Sequence, residues 1–229
     1  RTYGGLSEAE RLAERRERFL AAGLEVFGTL GLRGATVRGL CKAAGLTERY
    51  FYESFEDTEA LFCAVYDKQV AALRDYFVAE IPRLPRDLNA RVRSALGLYF
   101  NMMQDSRMVR IMHVDVMGAS PRISAMHEAN ARLSVQVAAF LLRSDNPELE
   151  LSNELALGLG IAINGACTTM AVQWMTGGYT LSQDIVVESC SLLVFGTMSE
   201  LAKLRDAQRA GQTHASAAAE NGGLPGDSP

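Results

Sequence analysis

The stretch Thr36–Phe55, TVRGLCKAAGLTERYFYESF, leaves the chain little freedom: it reads as a short helix, a tight turn centred on glycine, and a second short helix. The Thr36 hydroxyl is placed to cap the first helix by accepting a backbone N–H that the first turn leaves unpaired. Val37, Leu40, Cys41 and Ala44 follow at helical spacing and form its inward face. Gly45 supplies a left-handed stop, and Thr47 is placed to cap the next helix. Ala43 and Ala44 add little bulk before the glycine, so the two helices pack closely at a steep angle. Phe51 and Phe55 point into a small core, which leaves Glu48, Arg49, Tyr50 and Tyr52 on the outer and N-terminal surface of the second helix. This is the pattern of a DNA-reading helix-turn-helix.

Composition restricts what surrounds that motif. The 229 residues are 48% apolar and carry a formal net charge of −4, which excludes a generally basic nucleic-acid coat protein. A local basic surface is still effective, because screening confines each charge to roughly 8–10 Å. Arg11, Arg15, Arg16, Arg18, Arg33, Arg38, Lys42 and Arg49 all lie in the first fifty residues, diluted at the start by Glu8, Glu10, Glu14 and Glu17. The segment ERLAERRER is open to two readings: a solvated helix start with ion pairs four residues apart, or a DNA-contacting arm.

The order and spacing of residues from Phe19 to Phe62 resemble the N-terminal domain of the TetR family of bacterial one-component regulators. Phe27, Gly31, Thr36, the Ala44-Gly45-Leu46-Thr47 turn, Tyr52, Phe55 and Glu59-Ala60-Leu61 carry the resemblance. It implies a DNA-binding surface comprising Thr36, Arg38, Thr47, Glu48, Arg49, Tyr50 and Tyr52. There are two departures: the family often has a small residue where Tyr50 stands and a phosphate-binding Lys where Thr58 stands. Phosphate contact then falls to Tyr52, to Thr36 or Arg38, and to N–H groups at helix ends.

The remainder reads as helices near 87–104, 107–117, 121–143, 149–175 and 182–205, after a first helix ending near Gly31 and a long helix that Asp57 caps and that stops before Ile81-Pro82. Gly28 and Gly31–Gly34 are expected to loosen the end of the first helix. Breaks at Gly118–Pro121, Ser144–Pro147 and Thr176-Gly177-Gly178 separate the later ones, and no stretch alternates like a strand. The expected fold is all-α with about nine helices. Residues 1–56 form the reading head with an N-terminal extension, 57–205 an effector-binding and dimerisation domain, and 206–229, rich in Ala, Gly, Gln and Ser, a disordered tail.

Within the larger domain, all nine methionines lie between 102 and 198, and flexible, polarisable Met side chains suit either an irregular core or a cavity for apolar ligands. The ligand-binding candidates are Tyr99, Met102, Met103, Met112, His113, Met117, Asn164, Thr168 and Trp174, with Asp115, Asn130 and Gln173 as further polar fittings. His113 and Asp115 are two residues apart and do not share a helical face, so no metal site is expected. His127 reads as a surface or hydrogen-bonded helix residue. No nucleophile-base set, paired-carboxylate motif or phosphate loop stands out, so neither catalysis nor a cofactor is expected.

Leu155–Gln183 contains no charged residue, a length that by itself suits a membrane span. Asn164, Thr168, Thr169, Gln173 and several glycines favour instead a buried helix at an oligomer interface. The interface candidates are Gly158, Ala162, Gly165 and Thr169, with Leu192, Phe195 and Gly196 on the next helix. The resemblance implies that these two helices pair with a second copy as a four-helix bundle, presenting two heads about 34–36 Å apart to a palindromic operator. Cys41, Cys63, Cys167 and Cys190 have neither metal-ligand spacing nor disulfide-scaffold density and read as reduced core thiols. With no signal-type apolar opening, a cytoplasmic location is expected. The partners expected are double-stranded operator DNA, a small apolar effector and a second copy of the chain, with no membrane. A second reading, a helical small-molecule-binding or adaptor protein in which the helix-turn-helix is only a packing corner, stays open at this point.

Overall fold

The computed structural model describes the backbone of residues 7–144, 149 and 151–221. Nine α-helices are present among them, and no strand: α1 (Glu8–Leu30), α2 (Val37–Ala44), α3 (Glu48–Ser54), α4 (Thr58–Glu80), α5 (Leu88–Met102), α6 (Ser106–Val109), α7 (Pro121–Ser144), α8 (Asn153–Thr176) and α9 (Gln183–Asn221). The expected break after Ser144 falls outside the described residues. The last helix runs past Asp206, so the tail expected over 206–229 is corrected as far as Asn221, and 222–229 are not described.

Local chemistry sets most helix starts. Ser7 and Glu10 form a reciprocal capping box on α1: Ser7 Oγ accepts from Glu10 N, and Ser7 N donates to Glu10 Oε2. Thr36 Oγ1 accepts from Gly39 N at 3.1 Å, and Asp57 Oδ1 from Ala60 N at 2.6 Å. Thr47 stands at the N-cap of α3, but its hydroxyl makes no capping hydrogen bond. Gly45 ends α2 with φ +62°, the left-handed conformation that its position requires.

The head packs around an aromatic knot. Phe19 is fully buried and meets Phe51 and Phe55 edge-on at 5.4 and 6.3 Å, while Phe27 meets Phe62 of α4 at 5.2 Å. The core continues through Phe100, Met103, Ile111 and Ile123 of the larger domain. In that domain α7 packs along α8 and α5 along α9. Trp174 closes the α8–α9 corner: its indole N–H donates to the Leu181 carbonyl at 2.8 Å and its ring lies 4.9 Å from Tyr179. Cys41 and Cys190 are buried, Cys63 and Cys167 half-buried, and all four are free thiols.

The expected helix over 107–117 is divided. After one turn of α6 the chain widens into a π turn, Arg110–Val114, closed by Asp115 N donating to the Arg110 carbonyl at 2.9 Å. This region seats the end of α1. A Cβ added at Gly28 would lie 2.3 Å from Arg107 Cβ and 2.9 Å from Arg107 Cα, so Gly28 permits close helix approach rather than loosening the end of α1. Gly28→Ala should therefore cost about 1–3 kcal/mol by overpacking, read as a lower urea midpoint at unchanged slope. An unchanged midpoint would refute the close approach.

Candidate functional site

The second motif helix, α3, is seven residues long, too short to be stable by itself. It is held by α1. Arg16 reaches over the Phe55 ring at 4.4 Å and donates to the Ser54 carbonyl at 3.0 Å, where α3 ends. Arg18 donates to the carbonyls of Ala44 and Gly45 at 2.7 and 3.2 Å, where α2 ends. Both arginines satisfy carbonyls that a helix leaves unpaired at its C-terminus, and both place a cation at the negative end of the helix dipole. Arg15 lies over the Tyr50 ring at 4.4 Å and pairs with Glu53 at 3.4 Å. In the arginine-rich segment Arg15, Arg16 and Arg18 thus reach across to the motif as clamps, with Arg16 and Arg18 still exposed to solvent.

What remains on the outer face of α3 is a small polar surface. The Arg49 side chain is 84% exposed and steadied by Glu53 four residues on, at 3.1 Å. Tyr52 is 59% exposed. Thr36, Arg38, Thr47 and Glu48 are exposed around them, whereas Tyr50 is half-buried beneath Arg15. Thr58 stands in the first turn of α4 behind Asp57, and Lys42 and Arg33 add exposed cations nearby. Arg49 and Tyr52 are accordingly well exposed on the face expected to read a groove.

Residues 19–65 match the family model described as "Bacterial regulatory proteins, tetR family". Residues 19–65 are thus a TetR-type N-terminal domain. Solved structures share the fold over most of the chain. The fatty acid degradation regulator FadR from Bacillus halodurans aligns with TM-score 0.69 at 14% identity, covering 80% of this chain and 95% of its own. FadR from Bacillus subtilis in complex with stearoyl-CoA gives 0.67 at 12%, covering 77% and 96%. A transcriptional regulator from Rhodococcus sp. Rha1 gives 0.65 at 15%, covering 81% and 96%. No curated protein matches the chain by sequence. The TetR-type head therefore stands on a larger helical domain of the kind found in these regulators.

In that larger domain the ligand-binding candidates divide. Tyr99 of α5 and His113 of the π turn are joined, with Tyr99 Oη and His113 Nε2 3.0 Å apart. Burial pushes the Tyr99 phenol up and pulls His113 down to about 4. Met103 and Met112 are buried, Met102, Asn164 and Thr168 half-buried, and Trp174 is buried as the corner residue described above. Met117 is 72% exposed just before the Gly118 turn and is not part of this interior. Asp115, expected as a pocket fitting, instead accepts from Leu32 N beyond the end of α1. Asn130 is bonded to the Met126 carbonyl of its own helix. His127 pairs with Tyr66 Oη at 3.1 Å, as a hydrogen-bonded helix residue should. Sequence reasoning missed the clamp arginines and Asp115, whose partners lie 26–83 residues away.

An open cleft of about 460 Å³ runs between α5 and α9, lined by Leu88, Arg93, Phe195 and Met198 among others. Arg93 is bound there by two hydrogen bonds to Glu188 and lies 4.7 Å over the Phe195 ring. Phe195 is therefore shared between this cleft and its expected place at the dimer interface. No group of three or more metal-ligating side chains occurs among the described residues.

Burial of neutral His113 makes stability depend on pH. The imidazole protonates near 6.5 when unfolded but only near 4 in the fold, so between these values the unfolded chain binds the extra proton and gains stability. Stability should fall by on the order of 3 kcal/mol as pH drops from about 6.5 to 4, with burial of His127 adding in the same direction. Urea titrations of wild type and His113→Gln across this range measure it, and parallel pH profiles would refute the assignment.

Proposed function

We propose that this protein is a homodimeric repressor of the TetR family that binds a palindromic operator through α3 and is released by a small, largely apolar effector. The observation that carries the proposal is the presentation of Arg49 and Tyr52 on an α3 fixed from behind by Arg16 and Arg18. An Arg fork suits a guanine edge or a phosphate, and a tyrosine hydroxyl suits a phosphate. Helix-end N–H groups add backbone contacts where the family's lysine is missing.

The dimer is supported by the outer faces of α8 and α9. Leu155, Leu157 and Ile161 on α8, and Ile185, Leu192 and Leu193 on α9, are each 45–59% exposed. A Cβ added at Gly158, Gly165 or Gly196 meets nothing within 4 Å inside one chain, so this small-residue surface is open to a close partner helix. Both helices are also long and apolar enough to cross a membrane. Each nevertheless buries one face against this chain, through Ala156, Gly160, Ala171 and Trp174 on α8 and Val186, Cys190 and Leu201 on α9, which supports partner packing over a lipid surround.

The effector reading draws on the methionine-containing core around the Tyr99–His113 pair, whose flexible side chains can repack about an apolar ligand. The Bacillus subtilis FadR structure contains stearoyl-CoA, which makes long-chain acyl compounds the first class to screen. A switch requires the effector to bind the two conformations with different affinity.

Sequencing the genomic DNA fragments retained by the purified protein at physiological salt tests the reading. A recovered palindrome supports it, and salt-sensitive retention without sequence preference refutes it. On the recovered site, Arg49→Ala should lose about 1–3 kcal/mol of binding and Tyr52→Phe a smaller amount, with the dimer intact. Unchanged affinity at matched salt would reject these roles. Gly165→Glu has room within one chain, so it should fold and yet run as a monomer in light scattering; a normal dimer mass would overturn the interface.

A further inference from the structure

The reading head is attached to the larger domain in two places. One is α4, whose 23 residues run unbroken from the motif into the larger domain. It is held from the side by Ser120 Oγ, which donates to Glu59 Oε2 at 2.8 Å, and by the Tyr66–His127 pair at 3.1 Å. The second attachment is at the far end of α1. There, Arg110 donates from Nη1 to the Thr29 carbonyl at 2.9 Å, and Asp115 Oδ2 accepts from Leu32 N at 2.9 Å. Gly31 between them turns the chain with φ +77°. Arg110 Nε and Asp115 Oδ1 lie 3.8 Å apart, and Asp115 is only 13% exposed.

These contacts bridge the end of α1 from another part of the chain. A helix end leaves C=O groups unpaired, and the turn that follows leaves N–H groups unpaired. One cation and one anion meet one of each here. The π turn makes this possible. In an α-helix, at 3.6 residues per turn, Arg110 and Asp115 would point about 140° apart, and both could not face α1. The i to i+5 hydrogen bond from Asp115 N to the Arg110 carbonyl stacks them on one side. Alongside, Gly28 lies against Arg107, which pairs with Glu25 at 2.7 Å.

We propose that Arg110 and Asp115 are positioning residues for DNA binding: as a cap supplied in trans to the end of α1, they fix that end of the head on the larger domain and so set the angle at which the head meets its half-site. The proposal rests on the dimeric, palindrome-binding reading given above. They touch no DNA. Their effect is expected in how strictly the protein measures the distance between half-sites, because one added base pair both rotates and translates the second site.

Two measurements on the full chain test it. Hydrogen exchange followed at the Leu32 amide needs no DNA. Asp115→Ala should speed that exchange about tenfold, while Asp115→Asn, whose side-chain oxygen still accepts, should stay near wild type. Equal exchange in all three would show that the cap does not hold and overturn the proposal. On the recovered palindrome, affinity is compared for the native spacing and for a site with one base pair inserted between the halves. Wild type should prefer the native spacing by about tenfold or more, and Asp115→Ala and Arg110→Ala should lose most of that preference, with Asp115→Asn largely retaining it. A general loss of fold would lower both affinities alike, whereas loss of positioning narrows their ratio. An unchanged ratio in both alanine variants refutes the proposal. Absence of any palindrome for wild type would refute the dimeric reading instead, leaving the exchange result to decide the cap.

Discussion

Short helices cannot satisfy their own ends, and the structure of this protein depends on how that is resolved. Helices α2 and α3 have eight and seven residues, so about half of their carbonyls have no partner within the helix. Neither would persist alone in water. Arg16 and Arg18 of α1 complete them, each donating to carbonyls at the end of one short helix. Arg110 does the same for α1 itself. The reading head is thus a chain of helices in which guanidinium groups from one element finish another. Guanidinium suits this task because its planar fork of donors keeps its charge when partly buried and still packs over an aromatic ring, as Arg16 does on Phe55.

This use of arginine changes what the charge count means. The cations of the first fifty residues look like a basic patch, but Arg15, Arg16 and Arg18 are spent on Tyr50, Phe55 and backbone carbonyls. The positive surface left near α3 comes from Arg33, Arg38, Lys42 and Arg49, with Glu48, Glu53 and Glu56 among them. On the proposed function, a head with so few cations left at the surface would derive less of its affinity from counterion release and more from fit, which makes a well-fixed α3 matter more. That is consistent with a chain whose net charge is negative yet whose N-terminal domain is of a DNA-binding family.

The features legible in the sequence were those whose cause lies within a few residues. Thr36 and Asp57 cap from their own positions, Gly45 must be left-handed where it stands, and Phe51 and Phe55 face inward because of helical spacing. The breaks at Gly118–Pro121 and Thr176-Gly177-Gly178 likewise marked where α7 begins and α8 ends. What was hidden depends on partners far along the chain. No local pattern distinguishes an arginine that caps a distant helix from one wholly in solvent, so the contact of Arg18 with the end of α2 was not readable. Asp115 resembled a pocket residue because its true partner is the backbone of Leu32, 83 positions earlier. Periodicity also assumes an α-helix, so the π turn at Arg110–Val114 and its consequence for which residues share a face lay beyond it. Met117 was grouped by type with methionines that the turn before Gly118 separates from it. At the other end, low aromatic content after Asp206 suggested disorder, but the alanine-rich stretch has high helix propensity and α9 continues through it to Asn221.

The same trade between charge and packing extends to the larger domain. His113 sits where a charged imidazole is disfavoured, and its Nε2 is occupied by Tyr99, so at neutral pH it is a neutral polar group within an apolar setting. It lies inside the π turn that carries Arg110 and Asp115 on its two ends. A molecule that competes for the hydrogen bond between Tyr99 and His113 would therefore act on the one turn whose unusual geometry keeps two charged side chains on the end of α1. An apolar effector with a single well-placed polar group is chemically sufficient for that competition, since displacing one buried hydrogen bond between neutral partners costs little when it is replaced in kind. Coupling of this sort needs no long pathway. It needs only that His113 of the interior pair and both cap residues lie within the six residues 110–115.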